Sequence, residues 1–316
     1  MNEADWKHRP EGGGRFAIRL IGGIARHGGR GIARACLYPI TLYFYCVRGA
    51  ERRASADYLR RLRGRPARAL EVARHIHTFA ATILDRVFLL AGRTGLFDIR
   101  SSGTEPLLQQ LDQGRGVLVF GSHLGSFDAL RVLARMRPDL KLRVLMDRAH
   151  NAAITELLAE LDPKLADCII DAAQEGTAIV LAIQQALEDG AMVALLVDRA
   201  RPDEPAVAAP LLGSDAAFPA APWLIANALK APVVLAFGLY LGGNRYDLRF
   251  ESFAEVVDIP RRGPAEILST LIHRYASRLE HHLREAPYNW FNFYDFWHPQ
   301  DRATPAPVPA DRPAGQ

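Results

Sequence analysis

The stretch Val117-Leu-Val-Phe-Gly121-Ser-His123-Leu-Gly125-Ser-Phe-Asp128 decides how the chain is read. It opens with four apolar residues, three of them β-branched or aromatic, which is the mark of a short buried strand. Gly121 ends the strand, and the serines that follow suit the start of a helix. The same alternation recurs on both sides. Strands are predicted at Val117–Phe120, Leu142–Met146, Cys168–Asp171, Met192–Val197, Val233–Leu239 and Tyr246–Phe250. Helices are predicted at Ser126–Met136, Asn151–Leu161, Gly176–Glu188, Pro219–Leu229 and Pro264–Arg284. This order predicts an α/β domain with a mixed, largely parallel sheet flanked by helices. Its last two strands form a hairpin around Leu241-Gly-Gly-Asn244, and Arg199–Ala217 forms a long loop. Upstream lie helices at Ser55–Leu62, Pro66–Leu90 and Glu105–Leu111.

Composition narrows the function classes. With 49% hydrophobic and 23% charged residues among 316, the chain can build a large core and is not a disordered protein. Three cysteines without a CxxC exclude a disulfide framework and a cysteine-based zinc site. The glycines at 12–14, 22–23 and 28–31 follow no strand, so neither a dinucleotide fingerprint nor a phosphate loop is present.

Charge is uneven. Residues 7–68 carry fifteen Lys/Arg against three Asp/Glu, a balance of +12 within a chain of net charge +4. Such a patch implies an anionic partner. Among these arginines, Ala35–Val47 is an uncharged run of thirteen residues with Tyr38, Tyr43, Phe44 and Tyr45. A spanning helix needs about 20 apolar residues, so this run is too short, and no signal-peptide cleavage site follows it. Residues 1–50 are therefore expected to form a basic amphipathic segment lying on an anionic membrane surface, arginines on one side and aromatics on the other. A core-packing helix is the equal alternative; nucleic acid ranks last, because no binding module is recognisable. Residues 51–300 form the α/β domain, and 301–316 a disordered tail.

The chemistry is expected where strands end. His123 follows the first strand and Asp128 falls in the first turn of the next helix. A carboxylate at that position can orient the imidazole and stabilise its protonated form. Backbone N–H groups around Gly125, Ser126 and Phe127 can meet an oxyanion. A His-x4-acid spacing arises about once by chance in a chain of this composition, so position carries the argument. Asp147-Arg148 and Asp198-Arg199 end two further strands on the same edge. His75/His77 and His281/His282 lack zinc-pair spacing and a third ligand nearby, so no metal is expected.

Taken together, Gly-Ser-His123-Leu-Gly-Ser-Phe-Asp128, Met-Asp-Arg148-Ala-His-Asn151, Leu-Leu-Val-Asp198-Arg199, Pro-Leu-Leu-Gly213 and Phe-Pro219-Ala-Ala-Pro222 resemble the bacterial lipid A biosynthesis acyltransferases of the lysophospholipid acyltransferase superfamily. The resemblance runs from about Phe16 to Trp297. The ending Trp290-Phe-Asn-Phe-Tyr-Asp-Phe-Trp297 is similar to a branch linked to aryl polyene or pigment lipid synthesis. The resemblance implies a glycerol-3-phosphate acyltransferase-like fold at the cytoplasmic face of the bacterial inner membrane. It implies transfer of a fatty acyl chain from acyl carrier protein or CoA to a hydroxyl of a lipid or glycolipid, without a cofactor. His123 and Asp128 become general base and orienting acid. Arg148, Asp198, Arg199, Gly125 and Ser126 join the substrate-binding or oxyanion group, and Lys164 stands in for an arginine of the family. Two alternatives are a lipid or thioester hydrolase using Ser122 or Ser126, and a lipid-binding protein without turnover.

Overall fold

In the computed structural model, which describes residues 15–127, 140–147, 168–201 and 204–297, the six predicted strands and one unpredicted edge strand form a seven-stranded sheet. Its strands are β1 (Asp98–Ser102), β2 (Val117–Gly121), β3 (Leu142–Met146), β4 (Ile169–Asp171), β5 (Met192–Leu196), β8 (Val233–Gly242) and β9 (Arg245–Ala254), in the order β1-β9-β8-β2-β5-β3-β4. Every neighbouring pair is parallel except β8 and β9, which form the predicted antiparallel hairpin. The helices are α1 (Arg15–Val47), α2 (Gly49–Arg63), α3 (Ala69–Leu90), α4 (Glu105–Asp112), α5 (Gly176–Glu188), α6 (Ala221–Leu229) and α7 (Pro264–Glu285). All but the first two residues of the helix predicted at 126–136, the helix predicted at 151–161 and the tail from 301 lie outside the described residues, as do Asp128, Arg148 and Lys164.

Strand periodicity sorts the core into two layers. Leu118 and Phe120 of β2, Val193 and Leu195 of β5, and Leu235 and Phe237 of β8 pack with Tyr58 of α2, Trp223 of α6 and Tyr275 of α7. Their neighbours Val117, Val119, Met192, Ala194, Val234 and Ala236 face the other way, against Leu37 of α1, Leu84 and Phe88 of α3, and Leu107 of α4. With both faces covered, the central strands read as continuous apolar runs.

Two departures from the sequence reading have physical causes. Arg199–Ala217 is not all loop: it contributes to a hairpin of β6 (Ala206–Leu211) and β7 (Ser214–Pro219), so the helix predicted from Pro219 starts instead at Ala221. Leu212 and Gly213 form its turn, both at positive φ (52° and 80°), the geometry that tight hairpins need. Leu212 is buried, and its N–H donates to Glu280 at 2.7 Å, which holds the strained residue.

The second departure is α1. It breaks at Gly29 (φ 75°), and beyond the break its arginines do not face outward. Arg30 donates twice to the buried Asp85 carboxylate, at 2.8 and 2.9 Å, and the Tyr246 hydroxyl donates to it at 2.9 Å. Arg34 also lies within ion-pair range of Asp85, at 3.6 Å. Phe44 and Tyr45, expected on the aromatic outer face, pack partly buried against the core. The outer face instead carries Ile32, Tyr38, Leu42, Tyr43 and Val47, all exposed.

Removing one partner from a buried ion cluster leaves the others uncompensated. Asp85→Ala should therefore lower stability by about 3–5 kcal/mol in urea denaturation. A loss under about 1 kcal/mol, the range of exposed pairs, would show the cluster to be incidental.

Candidate active site

The site forms where β2 and β5 end side by side. Parallel pairing sets Gly121 against Leu196, so the residues just beyond, His123 and Asp198, emerge at the same edge. Asp198 has no exposed surface; His123 keeps about a quarter of its side chain exposed, at 27%. The His123 ring donates from Nδ1 to Asp198 Oδ1 at 2.7 Å, and the His123 main-chain N–H donates to Oδ2 at 3.1 Å. Because a carboxylate only accepts, this assigns the proton to Nδ1.

Asp198 is further held from the C-terminal segment. Trp290 Nε1 donates to Oδ2 at 3.0 Å, and Asn292 Nδ2 lies at 3.4 Å from the same oxygen. Burial pushes the carboxyl's pKa up, but the charge of protonated His123, the hydrogen bonds from His123 and the Arg199 guanidinium override it. Asp198 therefore stays ionised well below the usual carboxylate range.

Close backbone approach fixes the loop that carries His123. Gly125 has φ 73°, and a Cβ there would sit 1.9 Å from the Gly238 carbonyl oxygen of β8. Its N–H donates to the Asn289 carbonyl at 2.7 Å, and the Ser126 N–H donates to Gly238 at 2.7 Å. The N–H groups of Gly125 and Ser126, expected at an oxyanion, are here bonded to Asn289 and to β8. In return, Phe291 N–H donates to the His123 carbonyl at 2.9 Å.

A family model described as bacterial lipid A biosynthesis acyltransferase matches residues 89–298. The chain belongs to that family. It is an O-acyltransferase of lipid A-like lipid biosynthesis, and the matched span holds every strand of the sheet together with His123, Asp198 and Trp290. No curated protein matches the chain.

The remaining residues named from the sequence fall as follows. Arg199 does not point to open solvent: its Nε donates to Asn292 Oδ1 at 2.5 Å, its Nη2 to the Phe291 carbonyl at 3.0 Å, and it lies over the Tyr294 ring. It secures the segment that secures Asp198. Ser122 and Ser126 are each 3% exposed, which withholds both hydroxyls from a substrate. Asp147, at the end of β3, lies 3.7 Å from Arg201.

Sequence reasoning missed Trp290, Asn292, Asn289 and His75 in this acyltransferase. Asn289 acts as a piece of strand, accepting from Tyr240 N–H at 2.7 Å and donating to its carbonyl at 3.1 Å. His75, on α3, is fully buried; its Nε2 donates to the Trp290 carbonyl at 2.8 Å, and its Nδ1 accepts from the Ser55 hydroxyl at 2.8 Å. The legible signal was the density of aromatics in Trp290–Trp297, which has no periodicity to give it a role.

Burial lowers the His75 pKa from 6.5 to about 4, against the smaller opposing pull of the Trp290 carbonyl. The unfolded chain then binds a proton there that the folded chain does not, so this contribution is intact above pH 6.5 and is lost as pH falls toward 4. The loss should be on the order of 3 kcal/mol. Urea unfolding at pH 7.5 and 4.5 should show the wild type losing this much more stability than His75→Gln. Equal losses would place the His75 titration elsewhere.

Proposed function

We propose that this acyltransferase moves a fatty acyl chain from an acyl thioester, carried by acyl carrier protein or CoA, to a hydroxyl of a lipid or glycolipid acceptor, with His123 as general base. The observation that carries the reading is the 2.7 Å bond from His123 Nδ1 to buried, ionised Asp198 at the sheet edge. With Nδ1 protonated and held, Nε2 is the nitrogen that takes the acceptor's hydroxyl proton. The oxygen then attacks the thioester carbonyl, the C–S bond breaks as the tetrahedral intermediate collapses, and the imidazolium returns its proton to the departing sulfur. Asp198 offsets the imidazolium charge while it exists. The family resemblance adds Asp128 as the orienting acid of a His-x4-acid pair, and Arg148 with Lys164 as cations for the oxyanion or substrate. A serine acyl-enzyme is disfavoured by the burial of Ser122 and Ser126.

His123→Ala should lose about two to four orders of magnitude in transfer from a radiolabelled acyl thioester to lipid, with circular dichroism unchanged. Asp198→Asn keeps the shape but cannot hold the same tautomer, so it should lose activity by about 10²-fold or more. Near-normal transfer by Asp198→Asn beside an inactive Asp128→Asn would give the orienting role to Asp128.

The second part of the proposal places the enzyme peripherally at the cytoplasmic face of the inner membrane, through the outer face of α1. No helix among the described residues is long and apolar enough to cross a membrane. Five exposed apolar side chains on one helix face (Ile32, Tyr38, Leu42, Tyr43 and Val47) nevertheless suit shallow insertion. Each buried Leu-sized side chain contributes about 1.5–3 kcal/mol. Arg30 and Arg34 are already occupied by Asp85, so apolar insertion outweighs charge attraction. Leu42→Glu with Tyr43→Glu should abolish sedimentation with phosphatidylglycerol vesicles while leaving thermal unfolding unchanged. Sedimentation that survives this pair and vanishes in high salt would return the role to the arginines.

A further inference from the structure

No third ligand for His281 and His282 was expected, but the last turn of α7 supplies one. Glu285 lies one turn on; its Oε1 is 3.6 Å from His281 Nε2, and its Oε2 is 3.4 Å from His282 Nδ1. The three ligand atoms fall within 4.8 Å of one another. For metal–ligand bonds of about 2.1 Å, the edge of a tetrahedron is about 3.4 Å, close to the His281–Oε1 separation, while the 3.4 Å from His282 is to the carboxylate's other oxygen.

The second observation is the state of His282. Its side chain is 2% exposed, and Nε2 donates to Glu251 Oε1 at 2.7 Å, so the proton is assigned there and the lone pair to Nδ1. That buried Nδ1 has no hydrogen-bond partner. A carboxylate on the far nitrogen of a histidine is the usual support of a metal ligand, and Glu251 is itself gripped by Arg278 at 2.7 and 2.8 Å. The Phe237 ring, 4.2 Å from the His282 ring, screens the site on one side. Arg249 also contacts Glu285 through Oε2 and competes with a cation there.

We propose that His281 Nε2, His282 Nδ1 and Glu285 Oε1 bind one divalent ion of the zinc type, a donor set of two imidazoles and one carboxylate that suits such an ion. The site uses none of the residues assigned to acyl transfer. It pins the end of α7, five residues before Trp290, whose indole holds Asp198.

The test is calorimetric titration of the chelator-treated full chain with zinc chloride at pH 7.5, with thermal unfolding in parallel. The expected result is a saturable site of one equivalent and a raised unfolding temperature. His281→Ala, at a half-exposed position that the fold does not need, should weaken binding at least about tenfold, and so should Glu285→Gln; Glu251→Gln, acting through His282, should weaken it about 10- to 100-fold. Arg249→Ala, by releasing Glu285, should tighten it. Absence of saturable uptake overturns the proposal and leaves His282 as a residue held by its hydrogen bond to Glu251. Uptake indifferent to both His281→Ala and Glu285→Gln overturns it equally.

Discussion

A buried carboxylate without partners costs several kcal/mol, so a chain that buries Asp198 must bring donors to it from wherever they lie. Here they come from the end of β2 and from the segment after α7, 75 residues before Asp198 and more than 90 after it. Four N–H groups converge on the two oxygens: the main chain and ring of His123, the Trp290 indole and the Asn292 amide. The arrangement of the edge follows from this demand. Trp290 reaches Asp198 only if its own backbone is fixed, and His75 fixes its carbonyl from α3. Asn292 is aligned by Arg199, the residue next to Asp198, which closes the loop of dependence.

The same network explains why the His123 loop cannot slide. Ser126 N–H and Gly125 N–H are bonded to β8 and to Asn289, and Asn289 is bonded to Tyr240 of the same strand. Only residues without a Cβ fit at 125 and 238, since an added carbon at either meets a carbonyl oxygen at 1.9 or 2.2 Å. The imidazole is thus set by contacts made before any substrate arrives. That is the preorganisation that lets a general base act without reorganising.

Strands β2, β3 and β5 were legible because each is a short apolar run closed by Gly or Asp. His123 was legible because it follows one of them. The tie from His123 to Asp198 was not, because nothing in local spacing reports a bond across 75 residues. Strand β1 went unseen because Asp98–Ser102 lies at an edge and carries almost no apolar face. The β6–β7 hairpin was hidden because Leu212 occupies a turn position where Gly or Asn is the usual sign. Trp290 and Asn292 sit in irregular backbone, where periodicity gives no face to read.

The N-terminal arginines show the same limit from the other side. A run of basic residues is ordinarily a solvated face, and a count of charges treats each as available to an anion. Asp85 changes that count: buried in the second layer, it draws Arg30 and Arg34 inward, and Tyr246 adds a donor from β9. The inward turn of the arginines rotates Tyr38, Leu42 and Tyr43 outward, because residues on one helix face exclude those half a turn away. Beyond Gly29, one buried acid of α3 therefore both docks α1 and leaves its exposed face apolar rather than basic.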